Sequence, residues 1–330
     1  MVTPNLPVGI ADVYAARERL RSVATVTPVR ADRTLDAVCG APVWCKAESL
    51  QQAGSFKFRG AYNAVAALPE ERRGRGVIGA SSGNHAKALA LAGCLWQVPV
   101  TVVVPRDAPA IKIEVARTLG ARIVGYDPLR EDRDRLTADL AAAHGLTVVP
   151  SADHRDVVAG AATVALEFLA QAPDLTVLLV PVGGGGLAAG TALTVAELAA
   201  HVRVVGVEPE TAADTTLSLR AGRRIALPTV PDTIADGLRH RVPAELPWRI
   251  NRRLLGAVVT VTEDEIRAAM GWALRCLDLV VEPSGAVALA AAPRFGAANA
   301  SVGVVVSGGS VDAAAFTRLV APGWSPAPGR

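Results

Sequence analysis

The stretch VLLVPVGGGGLAAGTALTVAELAA, Val177 to Ala200, decides the fold. Val177–Val182 is an apolar run with no polar face, and Leu187–Ala200 is an almost unbroken series of helix formers. Gly183–Gly186 joins the two. A strand buried on both sides, a tight glycine turn and a helix make up one unit of a parallel α/β sheet. The rhythm repeats in both directions. Gly76–Ala80, Val100–Val104, Ala121–Gly125 and Leu146–Val149 precede the central unit as strands, and Val202–Glu208, Val258–Val261 and Val302–Ser307 follow it. Asn84–Ala92, Ala110–Leu119 and Glu131–His144 read as intervening helices. The segment 76–150 holds enough alternations for a small domain inserted in a larger one made of 1–75 and 151–330. Pro150–Asp156 and the proline-rich Leu227–Pro247 read as loops.

With 330 residues, 51% hydrophobic and 20% charged, the chain is long enough for two domains and has the balance of a soluble globular protein. Its 34 basic and 31 acidic residues leave a net charge of +3, too little to draw it onto nucleic acid or an anionic membrane. No apolar stretch has the length and continuity of a membrane span, and Met1–Ala16 lacks the apolar core of an export signal. A cytoplasmic location is expected. The cysteines, Cys39, Cys45, Cys94 and Cys276, form no C-x-x-C pair, and the five histidines form no H-E-x-x-H pattern.

Only four of the basic residues are lysines, Lys46, Lys57, Lys87 and Lys112, which narrows any lysine chemistry. Lys57 lies in SFKFRG, among small and aromatic residues at an expected helix start. Partial desolvation there lowers an amine's pKa, as a Schiff-base lysine requires, because only the neutral amine attacks a carbonyl or removes a proton. An exposed structural lysine fits the same residues. Gly183–Gly186 offers backbone amides and a helix N-terminus to an anion such as phosphate, or is simply a flexible turn. Ser81-Ser82-Gly83-Asn84-His85 follows a strand and opens a helix, which suits a carboxylate as well as an N-cap. Ser307-Gly308-Gly309 ends the last strand, where α/β folds place ligands.

Taken in order, SFKFRGA (55–61), SSGNH (81–85), GGGGL (183–187), VEPE (207–210), TIADG (233–237), VTEDEI (261–266), EPSGA (282–286) and SGG (307–309) carry a family resemblance. Together they resemble the fold type II pyridoxal-phosphate enzymes, the tryptophan synthase β-like group, on its serine racemase and serine/threonine dehydratase side. The resemblance runs from about Thr27 to Asp312. It implies two α/β domains with parallel-rich sheets, the cofactor between them, the small domain closing over the substrate, and a homodimer.

Residue by residue, the resemblance makes Lys57 the lysine that holds pyridoxal 5'-phosphate and Phe56 its neighbour beside the ring. Gly183, Gly184, Gly185 and Gly186 would cradle the phosphate. Asn84 would face the phenolic oxygen and Ser307 the ring nitrogen. A neutral hydroxyl at the ring nitrogen favours elimination over transamination. Ser81, Ser82, Gly83, Asn84 and His85 would hold the substrate carboxylate. Glu208, the carbonyl of Ala212 and Asp214 align with a divalent-ion site suited to Mg²⁺, Ca²⁺ or Mn²⁺.

The implied activity is an ammonia-lyase reaction, dehydrating a small β-hydroxy amino acid such as serine, threonine or 3-hydroxyaspartate to a 2-oxo acid and ammonia. Racemisation by Lys57 with Ser82 on the opposite face, and β-replacement, are the alternatives. Ala53, Lys87, Ser151, Ala161-Ala162 and Ser310 depart from the family's usual residues, which bears on the substrate side chain more than on the cofactor. Lys87 shares a helix face with Asn84, so its charge could favour a substrate with a second carboxylate, although a surface ion pair is the simpler account of it.

Overall fold

The computed structural model describes residues 6–320 apart from Ser82, Asp107 and Pro109. Ten strands form two sheets: β1 (Val29–Arg30), β2 (Val43–Ala47), β3 (Val77–Ala80), β4 (Val100–Pro105), β5 (Arg122–Tyr126), β6 (Thr147–Val148), β7 (Val177–Pro181), β8 (Arg203–Pro209), β9 (Ala257–Val261) and β10 (Val302–Val306). The larger sheet has the order β1-β2-β10-β7-β8-β9, and the smaller β5-β4-β3-β6 is drawn wholly from residues between 77 and 148. Every pairing is parallel except that of β1 with β2 at the edge.

Fourteen α-helices cover the sheets among the described residues: α1 (Ile10–Leu20), α2 (Arg33–Cys39), α3 (Lys57–Ala66), α4 (Glu70–Arg75), α5 (Asn84–Trp96), α6 (Ala110–Thr118), α7 (Arg133–His144), α8 (Arg155–Gln171), α9 (Gly186–Leu198), α10 (Asp214–Ala221), α11 (Glu245–Leu254), α12 (Glu263–Leu277), α13 (Pro283–Ala290) and α14 (Ala313–Val320). The expected α/β class is correct. All eight expected strands are present, within a residue or two of their expected ends. β7 and β10 are buried along their whole length, as continuous apolar strands covered on both faces must be. Sequence reading missed β1 and β2, because β2 reads VWCKA and its lysine interrupts the apolar run.

The packing that places the site is the stack of α3, α8 and α9. A Cβ on Gly60 would lie 2.8 Å from the carbonyl oxygen of Val157, and one on Gly190 would lie 2.8 Å from the Cα of Ala162. These backbones therefore approach as closely as only glycine allows. Ala161 and Ala162, which depart from the family's pattern, are buried at this crossing. Ala162 there lies against Gly190 of α9, which gives this departure a role in helix packing. α3 also packs on α5, so Phe58, Tyr62 and Val65 share one apolar core with Val77, Leu89 and Val102 of the smaller sheet's layer. Among the described residues, no helix is long and apolar enough to cross a membrane.

Candidate active site

Lys57 owes its position to the end of β10. The amide of Phe56 donates to the carbonyl of Ser307 (3.1 Å), Ser55 bridges to Gly308, and the Gly309 amide donates to the Gly54 carbonyl (2.9 Å). Two successive left-handed residues, Ala53 (φ 58°) and Gly54 (φ 75°), turn the chain into this pairing. α3 then begins at Lys57, which is half-buried and donates from Nζ to the carbonyl of Ser151 at 2.8 Å. The ammonium lies 5.0 Å from the centre of the Phe56 ring. Burial lowers the Lys57 pKa to about 8 against the opposing pull of Glu282. A sizeable neutral fraction near neutral pH is what a base or an amine nucleophile needs.

The glycine turn lies beyond β7 and opens α9. No backbone hydrogen bond from the amides of Gly183, Gly184 or Gly185 is found among the described residues. Gly185 has φ +86°, which a side chain would strain, and a Cβ there would sit 2.7 Å from Asn251 Nδ2. Asn251 Nδ2 in turn donates to the Gly185 carbonyl at 3.2 Å. The Cβ space of Gly184 is filled by Ala152 Cβ and the His240 ring, each at 3.0 Å. The loop is thus walled by side chains while its amides remain open to an anion.

Asn84 begins α5 and reaches across to the larger sheet, donating from Nδ2 to Glu282 Oε1 at 2.5 Å. Its Oδ1 is buried with no protein partner. A Cβ on Gly308 would come within 3.2 Å of Asn84 Nδ2, so the turn after β10 presses on this amide. Ser307, almost fully buried, makes only a long contact from Oγ to the Ser284 carbonyl (3.4 Å). Ser81 Oγ accepts from the Gly83 amide at 3.1 Å. The His85 ring is turned into the core and pairs through Nε2 with the Val149 carbonyl (2.8 Å). Burial and then the charge of Lys57 lower its pKa to about 4, so the ring is neutral and leaves its backbone amide, at the start of α5, for a ligand. Ser82 lies outside the described residues.

Lys57, Phe56, Asn84, the glycine turn and Ser307 therefore converge at the C-terminal ends of β3, β7 and β10, linked by Ser151–Ala152 and Glu282. Sequence reasoning missed Glu282 and His240. Glu282 stands in the EPSGA motif and is nearly buried, but the motif alone does not show that it holds Asn84. His240 falls in a stretch read only as loop.

The residues aligned with a divalent ion lie apart, from the end of β8 to the start of α10. Glu208 accepts from the amides of Thr215 (2.8 Å) and Thr216 (2.9 Å) and from the Thr216 hydroxyl (2.7 Å). Burial nevertheless raises its pKa. Asp214 has both carboxylate oxygens buried without a partner, and burial together with Glu208 raises its pKa to about 8. Among the described residues no cluster of three His, Cys, Asp or Glu side chains could hold a metal. A cation here would rest on Asp214, the spare lone pairs of Glu208 and the buried backbone at Ala212.

Residues 20–308 match the model of the family described as pyridoxal-phosphate dependent enzyme. The chain is 42% identical over 311 residues to an L-threo-3-hydroxyaspartate ammonia-lyase from a Pseudomonas species, covering 94% of this chain and 97% of that one. A protein of the same name from Saccharomyces cerevisiae is 40% identical, covering 94% and 95%. Among solved structures, maize serine racemase superposes with a TM-score of 0.90 at 36% identity, covering 94% of this chain and 96% of that one. Motifs, architecture and relatives agree, and the chain belongs to the pyridoxal-phosphate dependent enzyme family, with the fold type II architecture.

Proposed function

We propose that the protein is an ammonia-lyase that removes water and then ammonia from a small β-hydroxy amino acid, with L-threo-3-hydroxyaspartate as the preferred substrate. The observation that carries this reading is the half-buried Lys57 amine, with its pKa near 8, beside an open glycine cradle. The relatives named for hydroxyaspartate support the choice of substrate.

The residues fit pyridoxal phosphate. Gly183–Gly186 offers a walled cradle with free amides for its phosphate, and Asn84 has an orphaned buried oxygen and a second amide hydrogen for a polar ring substituent. Ser307 would face the ring nitrogen with a hydroxyl and Phe56 would lie beside the ring. Bound there, the group supplies an electron sink for the pair left when the Cα proton departs. The protein does the remaining work. Lys57 removes that proton, and the amides at the start of α5, with Ser81, Gly83 and Asn84, hold the substrate carboxylate. We assign closure over the substrate to the segment 76–150, which excludes water from the reacting atoms.

The test is release of 2-oxo acid and ammonia by the cofactor-loaded protein from L- and D-forms of serine, threonine and 3-hydroxyaspartate. Release from 3-hydroxyaspartate is expected, with a rate that climbs with pH as Lys57 loses its proton and levels off above about 8. No keto acid from any of them would overturn the reading, and loss of optical rotation without keto acid would replace it by racemisation.

We place a divalent cation of the Mg²⁺, Ca²⁺ or Mn²⁺ kind at Asp214 and Glu208. Two buried carboxylates close together, one with no donor at all, cost free energy that a cation removes. Chelation is expected to lower Tm and added Mg²⁺ or Ca²⁺ to restore it, whereas Asp214→Asn should melt at the same temperature with and without chelator. An identical wild-type Tm in chelator and in cation would exclude the site.

A further inference from the structure

His240 walls the glycine turn, but nothing described so far uses its ring nitrogens. Its ring rests on the glycine turn, with Cδ2 3.1 Å from where a Gly183 Cβ would be and Cε1 3.0 Å from that of Gly184. The backbone fixes it there, since the His240 amide donates to the Leu238 carbonyl at 2.7 Å. The residue is half-buried, and no hydrogen bond of its ring nitrogens is found among the described residues. Burial, then the charges of Lys57 and Arg133, lower its pKa to about 4, against a weaker pull from Asp134. A neutral imidazole with both nitrogens unengaged thus stands over the anion cradle and within the field of the proposed base.

Elimination needs two proton movements. The Cα–H pair becomes the Cα–Cβ double bond while its proton goes to Lys57 Nζ, and the Cβ–O pair leaves with oxygen. Hydroxide is a poor leaving group, so a proton must reach that oxygen as the bond breaks. Lys57 is accepting a proton at that stage, and His85 is locked to Val149. We propose that His240 is the acid that gives the leaving β-hydroxyl its proton, so that it departs as water. This rests on the ammonia-lyase reading above. An anion seated in the cradle lies against the ring and raises its proton affinity, so the acid form is generated where and when the site is loaded. The proton is replaced from solvent when product leaves.

The test compares 3-hydroxyaspartate with 3-chloroaspartate, which share a carbon skeleton but differ in whether the leaving group needs a proton. His240→Asn in the cofactor-loaded enzyme should lose about 10²-fold or more in turnover of the hydroxy substrate. Loss of chloride should stay close to the wild-type rate. His240→Gln, which keeps a longer polar side chain, should show the same split, and the cofactor absorbance of both variants should match that of the wild type. A readout independent of activity is the histidine NMR spectrum of cofactor-free protein. Inorganic phosphate should raise the titration of one unusually acidic imidazole, and that signal should be absent from His240→Asn.

Equal loss on both substrates, no loss on either, or no histidine that responds to phosphate would each overturn the proposal. A wild-type enzyme inert toward both substrates would overturn the ammonia-lyase reading itself and this assignment with it. By contrast, an active wild type with unselective variants would overturn only the role of His240.

Discussion

Replacing Lys57 by alanine is expected to abolish keto-acid release, by at least about 10⁴-fold, since the variant loses both a positioned base and a nucleophilic amine. The same change should not weaken the fold. A lysine whose folded pKa is depressed, here to about 8, contributes stability above its unfolded value, and that stability is lost as pH falls through 8. At pH 7 the native protein therefore carries a cost for keeping this amine charged and partly buried, which alanine removes. Lys57→Ala should melt at or above the wild-type temperature at pH 7, and the two should converge toward pH 10. Reduction of the loaded wild type with borohydride should add the mass of the cofactor, and the variant should show no such adduct. Residual turnover within about tenfold of wild type would mean that another group removes the proton. A lower melting temperature would mean that the bond from Lys57 to Ser151 supports the fold more than the buried charge costs it.

The parts of this site that were legible in the sequence are those where a residue type is itself the signal. Four successive glycines after an apolar strand admit few readings once a helix follows, and the structure places the turn at the start of α9 with Gly185 left-handed. Lys57 stood out because the chain has only four lysines. Asn84, Ser81 and Ser307 follow strands, where turns and ligands coincide. What stayed hidden depends on distant packing. His240 lies in a proline-punctuated loop, and only the fold shows that its ring takes the space two glycines leave open. Glu282 was visible as a letter in a motif, but not as the partner of Asn84, 198 residues away.

β2 shows the same limit from the other side. Nothing in the local pattern marks Lys46, Glu48 and Arg59 as internal, yet each is fully buried. Burial of charge is invisible to periodicity unless the partner is known, and here the partner, Glu167, sits on α8.

Removing Arg59 is expected to have the largest effect on stability. Its guanidinium grips Glu48 with two bonds of 2.8 Å and reaches Glu167 with bonds of 2.7 and 2.8 Å, while Lys46 Nζ meets Glu167 at 2.7 Å. Burial pushes Glu48 up, but Arg59 together with the Thr27 hydroxyl outweighs it and keeps the carboxyl ionised. Two cations thus balance two carboxylates, with Lys46, Arg59 and Glu48 shut off from water and Glu167 partly exposed. Arg59→Leu leaves Glu48 buried with only a hydroxyl donor, and losing one partner of such a pair costs about 3–5 kcal/mol. A drop in Tm on the order of 10 °C follows for a domain of this size. Because Arg59 is in the same first turn of α3 as Lys57, the loosening should also reach the active amine and reduce activity below the melting range.

The double variant Glu48→Leu/Arg59→Leu separates a charge effect from lost packing. With both members gone, Lys46 and Glu167 still balance, and apolar side chains fill part of the space. A neutral replacement of a buried pair often costs little, so the double variant should be more stable than Arg59→Leu alone. If it is instead less stable by the sum of the two single changes, the network acts through shape and hydrogen bonding rather than charge. A fall of under about 2 °C for Arg59→Leu would mean that water or Lys46 takes over the carboxylate, and that α3 is held by its glycine contacts with α8 instead.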